Sequence, residues 1–240
     1  MKVRIKFKKD GSLRFIGHLD VMRFFQKVMR RAQIPIAFTA GYNPHMIMSF
    51  ASPLGIGLTS EGEYFDMELA GHISSAEAVR RMNAVTAEGI EVISFRQISE
   101  EKKMTGMAIA SAADYLVGCK CRENGAIFTQ KMITGFLGQQ EIVVTKQTKR
   151  SEQEADIRPL IYQMELTKEG IYLQLAAGSA QNLKPELVMS ALCRFAGIDE
   201  ASMAWTRRRL EMYADLASEA ERAKGIRKLV TLEALGKDIE

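Results

Sequence analysis

"VRIKFKKDGSLRFIGHLDVMRFFQKVMRRAQIPIAF", residues 3–38, decides how the chain folds. Val3, Ile5 and Phe7 alternate with Lys2, Arg4, Lys6 and Lys8, the period of a strand with one buried face. Asp10-Gly11 turns the chain. From His18 to Gln33 the apolar residues Leu19, Met22, Phe25, Met29 and Ala32 recur at intervals of three or four, the spacing of an amphipathic helix. Pro35 ends that helix, and Ile36–Thr39 returns to an extended pattern.

The same reading continues outward. Ile47–Ala51 is a strand piece beyond the Asn43–His45 turn, and Tyr64–Leu69 alternates again. Ser75–Ala87 reads as a helix capped by Ser74 or Ser75, and Ile90–Phe95 as a strand. The order β-α-β-β-α-β is that of a ferredoxin-like unit over residues 1–98. Residues 99–113 lose periodicity and read as a linker. The pattern then recurs with a strand at Tyr115–Cys121, a helix at Ile127–Leu137 and a strand at Glu141–Thr145. A hairpin, Leu160–Leu166 and Ile171–Ala177, follows around Lys168-Glu169-Gly170. Pro185 opens a helix to Phe195, and Met203–Met212 supplies a last strand. The expectation is an α+β protein of two tandem ferredoxin-like domains with antiparallel sheets, 1–98 and 114–213. Residues 214–240 read as a helical or frayed tail.

Hydrophobic content of 47% with 26% charged residues is ordinary for a globular chain of 240 residues. No apolar run approaches the ~18–20 residues of a membrane span, and MKVRIKFKK lacks the apolar core of a signal peptide. A cytoplasmic protein without membrane contact is expected. Cys119, Cys121 and Cys193 suggest neither a disulfide framework nor a four-ligand metal site and read as buried or idle thiols. The net charge of +4 is unevenly spread: residues 1–50 carry ten Lys and Arg against Asp10 and Asp20. A basic segment of that kind favours an acidic partner such as nucleic acid.

Arg23, Lys27, Arg30 and Arg31 lie opposite the apolar stripe of the first helix, a cationic band long enough to meet several phosphates. A solvated helix face is the plainer reading. The strand row Lys2, Arg4, Lys6 and Lys8 has a specific objection against it. In a ferredoxin-like sheet the third strand would set Asp66 and Glu68 beside Arg4 and Lys6 as ion pairs. Asp20, in the first turn of the helix, is explained by the helix dipole. Asn43 and His45 sit in a turn whose backbone Pro44 fixes, where they can donate to an anion. His45 is expected to be exposed and within ~10 Å of His18, at the mouth of one cleft. His18, His45 and Asp20 make only a weak metal signal. Asp156-Ile157-Arg158-Pro159 reads as a structural turn. No Walker loop, G-x-S-x-G or dinucleotide fingerprint is present.

Residues 13–69, with R-F-x-x-H-L-D-x-x-R from Arg14 to Arg23 joined to G-Y-N-P-H at 41–45 and S-F-A at 49–51, resemble the N-terminal region of a bacterial family. That family is uncharacterised and radical-SAM-associated, fused to or encoded beside cobalamin-binding radical SAM proteins. "DIRPLIYQMEL" (156–166), "LKP" (183–185) and "RRRLEMY" (207–213) extend the resemblance over most of the chain. Met46 and Ile47 stand where the family pattern places Pro and Lys. The resemblance implies a cobalamin-binding radical SAM protein as partner and carries over no established activity; no cofactor is expected. The three-cysteine cluster motif of a radical SAM enzyme is absent. Three functions follow as expectations. The first is a non-catalytic accessory protein that binds a polyanion, RNA foremost, through His18, Arg23, Lys27, Arg30, Arg31, Asn43 and His45. The second is a metal-independent endoribonuclease using His18 or His45 as base, an analogy of fold. The third is a structural adaptor.

Overall fold

Strand β1 (Lys2–Lys9) buries Val3, Ile5 and Phe7 as its alternation requires, in a computed structural model that describes residues 1–120, 128–147 and 152–240. Helix α1 (His18–Arg31) lies on it and buries Val21, Phe25, Val28 and Met29. Leu19, expected in that stripe, is instead exposed on the helix's first turn. β2 (Met48–Phe50), β3 (Thr59–Glu68), α2 (Ser75–Asn83) and β4 (Ile90–Gln97) complete the first half, with Ser74 capping α2 through the Glu77 amide. Ile36–Thr39 forms only isolated bridges, Ile36 to Leu69 and Phe38 to Met46. Strand order β4-β1-β3, with β2 also on β3, is antiparallel throughout. Beneath it, Phe7, Phe25, Phe50 and Phe65 pack ring against ring, with centroids 4.7 Å apart for Phe7–Phe25 and Phe25–Phe65.

The second half runs α3 (Gly106–Ile109), β5 (Ala110–Lys120), α4 (Gln130–Leu137), β6 (Val143–Gln147), β7 (Glu152–Asp156), β8 (Ile161–Leu166), β9 (Ile171–Ala176), α5 (Pro185–Ala196) and β10 (Ala204–Asp215). Its main strands pair in the order β10-β5-β9-β8, again antiparallel, while β6 and β7 form a separate two-stranded sheet. A second core lies here, around Ile133, Phe136, Leu173, Leu175, Val188 and Leu192. Cys193 is buried in it, and burial pushes its thiol up to about 11; Cys119 packs on the Met203 sulfur at 3.3 Å. Cys121 and Ile127 lie outside the described residues, so the expected ends of the strand at Tyr115–Cys121 and of the helix at Ile127–Leu137 do too. Asp156 and Arg158 are structural as expected, but by backbone bonds. Asp156 accepts from the Ile142 and Arg158 amides, and the Arg158 guanidinium donates to the Leu137 carbonyl.

The halves share one continuous nine-stranded sheet, mixed with six helices among the described residues. Its pairing is antiparallel except where β10 meets β3 in parallel, Arg208 opposite Thr59 and Arg209 opposite Ser60. Gly62 makes the crossing possible: a Cβ there would stand 2.8 Å from the Leu210 carbonyl oxygen. Polar groups tie the seam. Lys6 meets Glu211 at 2.6 Å and Glu233 at 3.1 Å, the Tyr64 hydroxyl donates to Glu211, and Arg209 meets Glu63 at 3.0 Å.

Two expectations need correcting. Residues 99–113 are not an unattached linker: the Met104 carbonyl accepts from Arg4 and the Gly106 amide donates to Asp66. The tail is neither frayed nor mainly helical. After the short capped helix α6 (Glu219–Ala223), β11 (Leu229–Thr231) pairs with β10. Leu232 is then buried in the second core, and Ile239 in the first. The mixed charges of this segment hid those two apolar anchors.

Candidate functional site

The α1 band is an exposed row of cations. Its inner face is fixed by Val21, Phe25, Val28 and Met29, so Arg23, Lys27, Arg30 and Arg31 all project outward. Arg23 reaches Asp20 at 3.4 Å across solvent. Lys27, Arg30 and Arg31 make no ion pair among the described residues. Arg30 and Arg31 also sit in the last turn, where the helix dipole favours cations, so their placement has a structural reason as well.

The strand row is different in kind. Antiparallel register sets Lys2 opposite Glu68, Arg4 opposite Asp66 and Lys6 opposite Tyr64. Arg4 is 2% exposed and donates from Nε and Nη2 to the two Asp66 oxygens at 2.8 and 2.9 Å. Lys6 therefore does not pair with Glu68, as expected, but with Glu211 and Glu233 of the second half. Lys8 meets Glu91 at 3.2 Å, and Lys2 donates to the Glu100 carbonyl. Among the described residues Arg4, Lys6 and Lys8 of β1 each meet a carboxylate, and Lys27, Arg30 and Arg31 of α1 do not.

His45 is exposed, as expected, on the loop after Pro44. Thr39 holds it: its hydroxyl oxygen accepts from the His45 amide at 3.1 Å and contacts the ring Nδ1 at 3.1 Å. A hollow of about 320 Å³ opens beside it, floored by Met46, Met48 and Met67 and rimmed by Lys2 and Lys102. Asn43 and Tyr42 are exposed on the same loop.

His18 goes elsewhere. Its ring stands edge-on to Phe50 at 5.0 Å, in a niche of about 10 Å³ shared with Lys9 and Glu63. Burial lowers its pKa below the ordinary histidine value. The two histidines line separate hollows with no lining residue in common. Five residues of near-extended chain, roughly 16 Å, part His45 from Phe50, against which His18 packs. Of the hollows described, the one beside His45 is not lined by His18 and the one beside His18 is not lined by His45. Among the described residues, no three His, Cys, Asp or Glu side chains gather as a metal site.

A model of a bacterial protein family matches residues 2–185, spanning α1, the His45 loop and the β3 side of the seam. The chain belongs to that family, described as uncharacterized protein conserved in bacteria (DUF2344). No curated protein matches the chain. Among solved structures, the crystal structure of a Cbf5-Nop10-Gar1 complex aligns with a TM-score of 0.46 and 11% identity. That alignment covers 88% of this chain and 48% of the other, so this chain spans about half the length of that one. No helix among the described residues is long and apolar enough to cross a membrane.

Sequence reasoning passed over Lys9, Glu63 and Arg209. All three are buried at the seam. Arg209 sits in the run Arg207-Arg208-Arg209, which reads as surface charge until the β3–β10 pairing is known.

Proposed function

We propose that this protein is a non-catalytic accessory protein that binds RNA along the outer face of α1 and works with a cobalamin-binding radical SAM enzyme in the cytoplasm. One contrast carries the reading. Four exposed cations line α1, three of them without an ion pair among the described residues, while Arg4, Lys6 and Lys8 on β1 are each matched by a carboxylate. Charge that the fold leaves unneutralised in a row is what a phosphate backbone meets best. Phe15, 61% exposed with Arg14 over its ring, and the fully exposed Tyr42 offer flat faces on which bases can stack. Asn43 and His45 stand beside Tyr42 as donors. The radical SAM partner rests on the resemblance of residues 13–69. The two halves, each with strand order 4-1-3-2 by its own count, are read as tandem ferredoxin-like units joined through β3 and β10.

Ultraviolet crosslinking of RNA to the purified chain, followed by peptide mapping, tests this. Crosslinks within residues 14–31 and 41–45 on RNA that stays full length support it. Crosslinks confined to the β5–β9 side refute the site, and cleavage abolished by His45→Ala moves the function to an endoribonuclease.

A further inference from the structure

A second hollow lies away from α1 and His45. It is a cleft of about 850 Å³ at the seam, between the Pro53–Leu58 loop and the start of α5. That volume is within the ~300–1,000 Å³ of small-molecule sites. Its lining mixes apolar and polar side chains. Ile56 and Leu58 are apolar lining residues, Ile56 66% exposed, and the Arg209 guanidinium lies over the Tyr115 ring at 5.6 Å. Arg209, Lys184 and Asn182 are polar lining residues.

Arg209 is the telling residue. It is 5% exposed, its Nη1 donates to Glu63 at 3.0 and 3.1 Å and to the Ser52 carbonyl at 3.4 Å, and its guanidinium covers the Tyr115 ring, yet its buried Nε–H has no hydrogen-bond partner. A buried donor left unpaired is costly, so such groups call for an explanation. Charge around it is out of balance too. Glu63 faces two buried cations, Arg209 and Lys9, and Lys9 donates only to the Ile16 carbonyl. Among the described residues the one acid on the cleft wall, Glu186, is already met by Arg207 at 3.5 Å. Finally, α5 begins at this wall. Its N-cap is Lys184 and no side chain caps its first turn, so the positive end of a twelve-residue helix faces the same space.

We infer that the seam cleft binds a small organic phosphate of nucleotide size, its phosphate held by Arg209, Lys184 and the start of α5 and its flat apolar part against Ile56 and Leu58. This site is separate from the α1 surface and does not depend on the RNA reading. A dianion there supplies the charge that Glu63 alone does not. The uncovered Ile56 gives the ligand's apolar part a place.

Isothermal titration with adenosine 5′-monophosphate, and separately with inorganic phosphate, tests the inference on the full chain. Arg209 is tied into the fold, so the informative variants are Lys184→Glu and Ile56→Asp, both at exposed positions. Saturable binding of the monophosphate is expected, weakened at least tenfold by each variant, with inorganic phosphate binding at least tenfold more weakly. Arg30→Glu on α1 should leave that affinity unchanged. Absence of saturable binding by the wild-type chain, equal affinity for the two probes, or full binding by both cleft variants would overturn the site.

Discussion

Removing the Asp66 carboxylate should unfold much of what joins β1, β3 and α3. In Asp66→Ala, Arg4 keeps only carbonyl partners, Leu232 at 3.2 Å and Met104 at 3.0 Å, and remains a buried charge without a counter-ion. The Gly106 amide loses its acceptor at 2.6 Å in the same substitution. Breaking one side of a buried pair costs ~3–5 kcal/mol, because the remaining charge is stranded in a medium that solvates it poorly. Against a total stability of ~5–15 kcal/mol that is a large fraction. With a urea m-value near ~2–3 kcal/mol/M, the midpoint should fall by about 1–2.5 M. Replacing both partners, Arg4→Met with Asp66→Leu, should recover most of the loss, since well-packed apolar pairs often match buried ion pairs. Urea unfolding followed by circular dichroism measures both variants. A loss under ~1 kcal/mol for Asp66→Ala would mean that Arg4 finds solvent or another acid, and the claim that the Arg4 charge is met inside the fold by Asp66 would fail.

Three further outcomes are expected. His45→Ala should cost less than ~1 kcal/mol, because its bonds to Thr39 are exposed, while weakening RNA binding several-fold; a large stability loss with unchanged affinity would make the loop plain architecture. His18 has its pKa lowered by burial, so the folded chain favours the neutral ring. Its contribution is fully present above the unfolded value of ~6.5 and is lost as pH falls through that value toward the folded one. Urea midpoints from pH 8 to pH 5.5 should therefore drop less steeply in His18→Gln than in the wild-type chain, and parallel curves would contradict this. Deleting residues 237–240 removes Ile239 from the first core and breaks the Gln97–Lys237 and Ser75–Ile239 backbone bonds, for a loss of ~2–4 kcal/mol in the same unfolding assay. No loss would mark the segment as frayed after all.

Local pattern carried the parts of this fold that local chemistry decides. β1, α1, α2 and β4 were legible because alternation, three-to-four spacing and a serine cap each act within a few residues. The Arg4–Asp66 pair was legible as well, once antiparallel neighbours set the register. What joins distant segments was not. Lys6 finds Glu211 and Glu233 more than two hundred residues away, and nothing near Lys6 announces them. The parallel pairing of β3 with β10 depends on Gly62 letting two backbones approach, and a glycine inside a strand pattern has several readings. The tail was misread because two anchors, Leu232 and Ile239, are sparse among charges. Of the candidate site, the α1 band was read from spacing alone. The supposed meeting of His18 with His45 required tertiary geometry, and Phe50 draws His18 inward instead.

Salt dependence of RNA affinity tests the α1 interface most directly. Fluorescence anisotropy with one labelled RNA, from 50 to 300 mM salt, gives the log–log slope, whose magnitude falls by ~0.7–0.9 for each phosphate no longer neutralised. The triple variant Lys27→Ala, Arg30→Ala, Arg31→Ala should lower the magnitude of that slope by about 2–2.7 and weaken binding at every salt concentration. Lys8→Ala, whose charge is already met by Glu91, should leave the slope unchanged. A slope that persists in the triple variant, or falls equally in Lys8→Ala, would contradict the account.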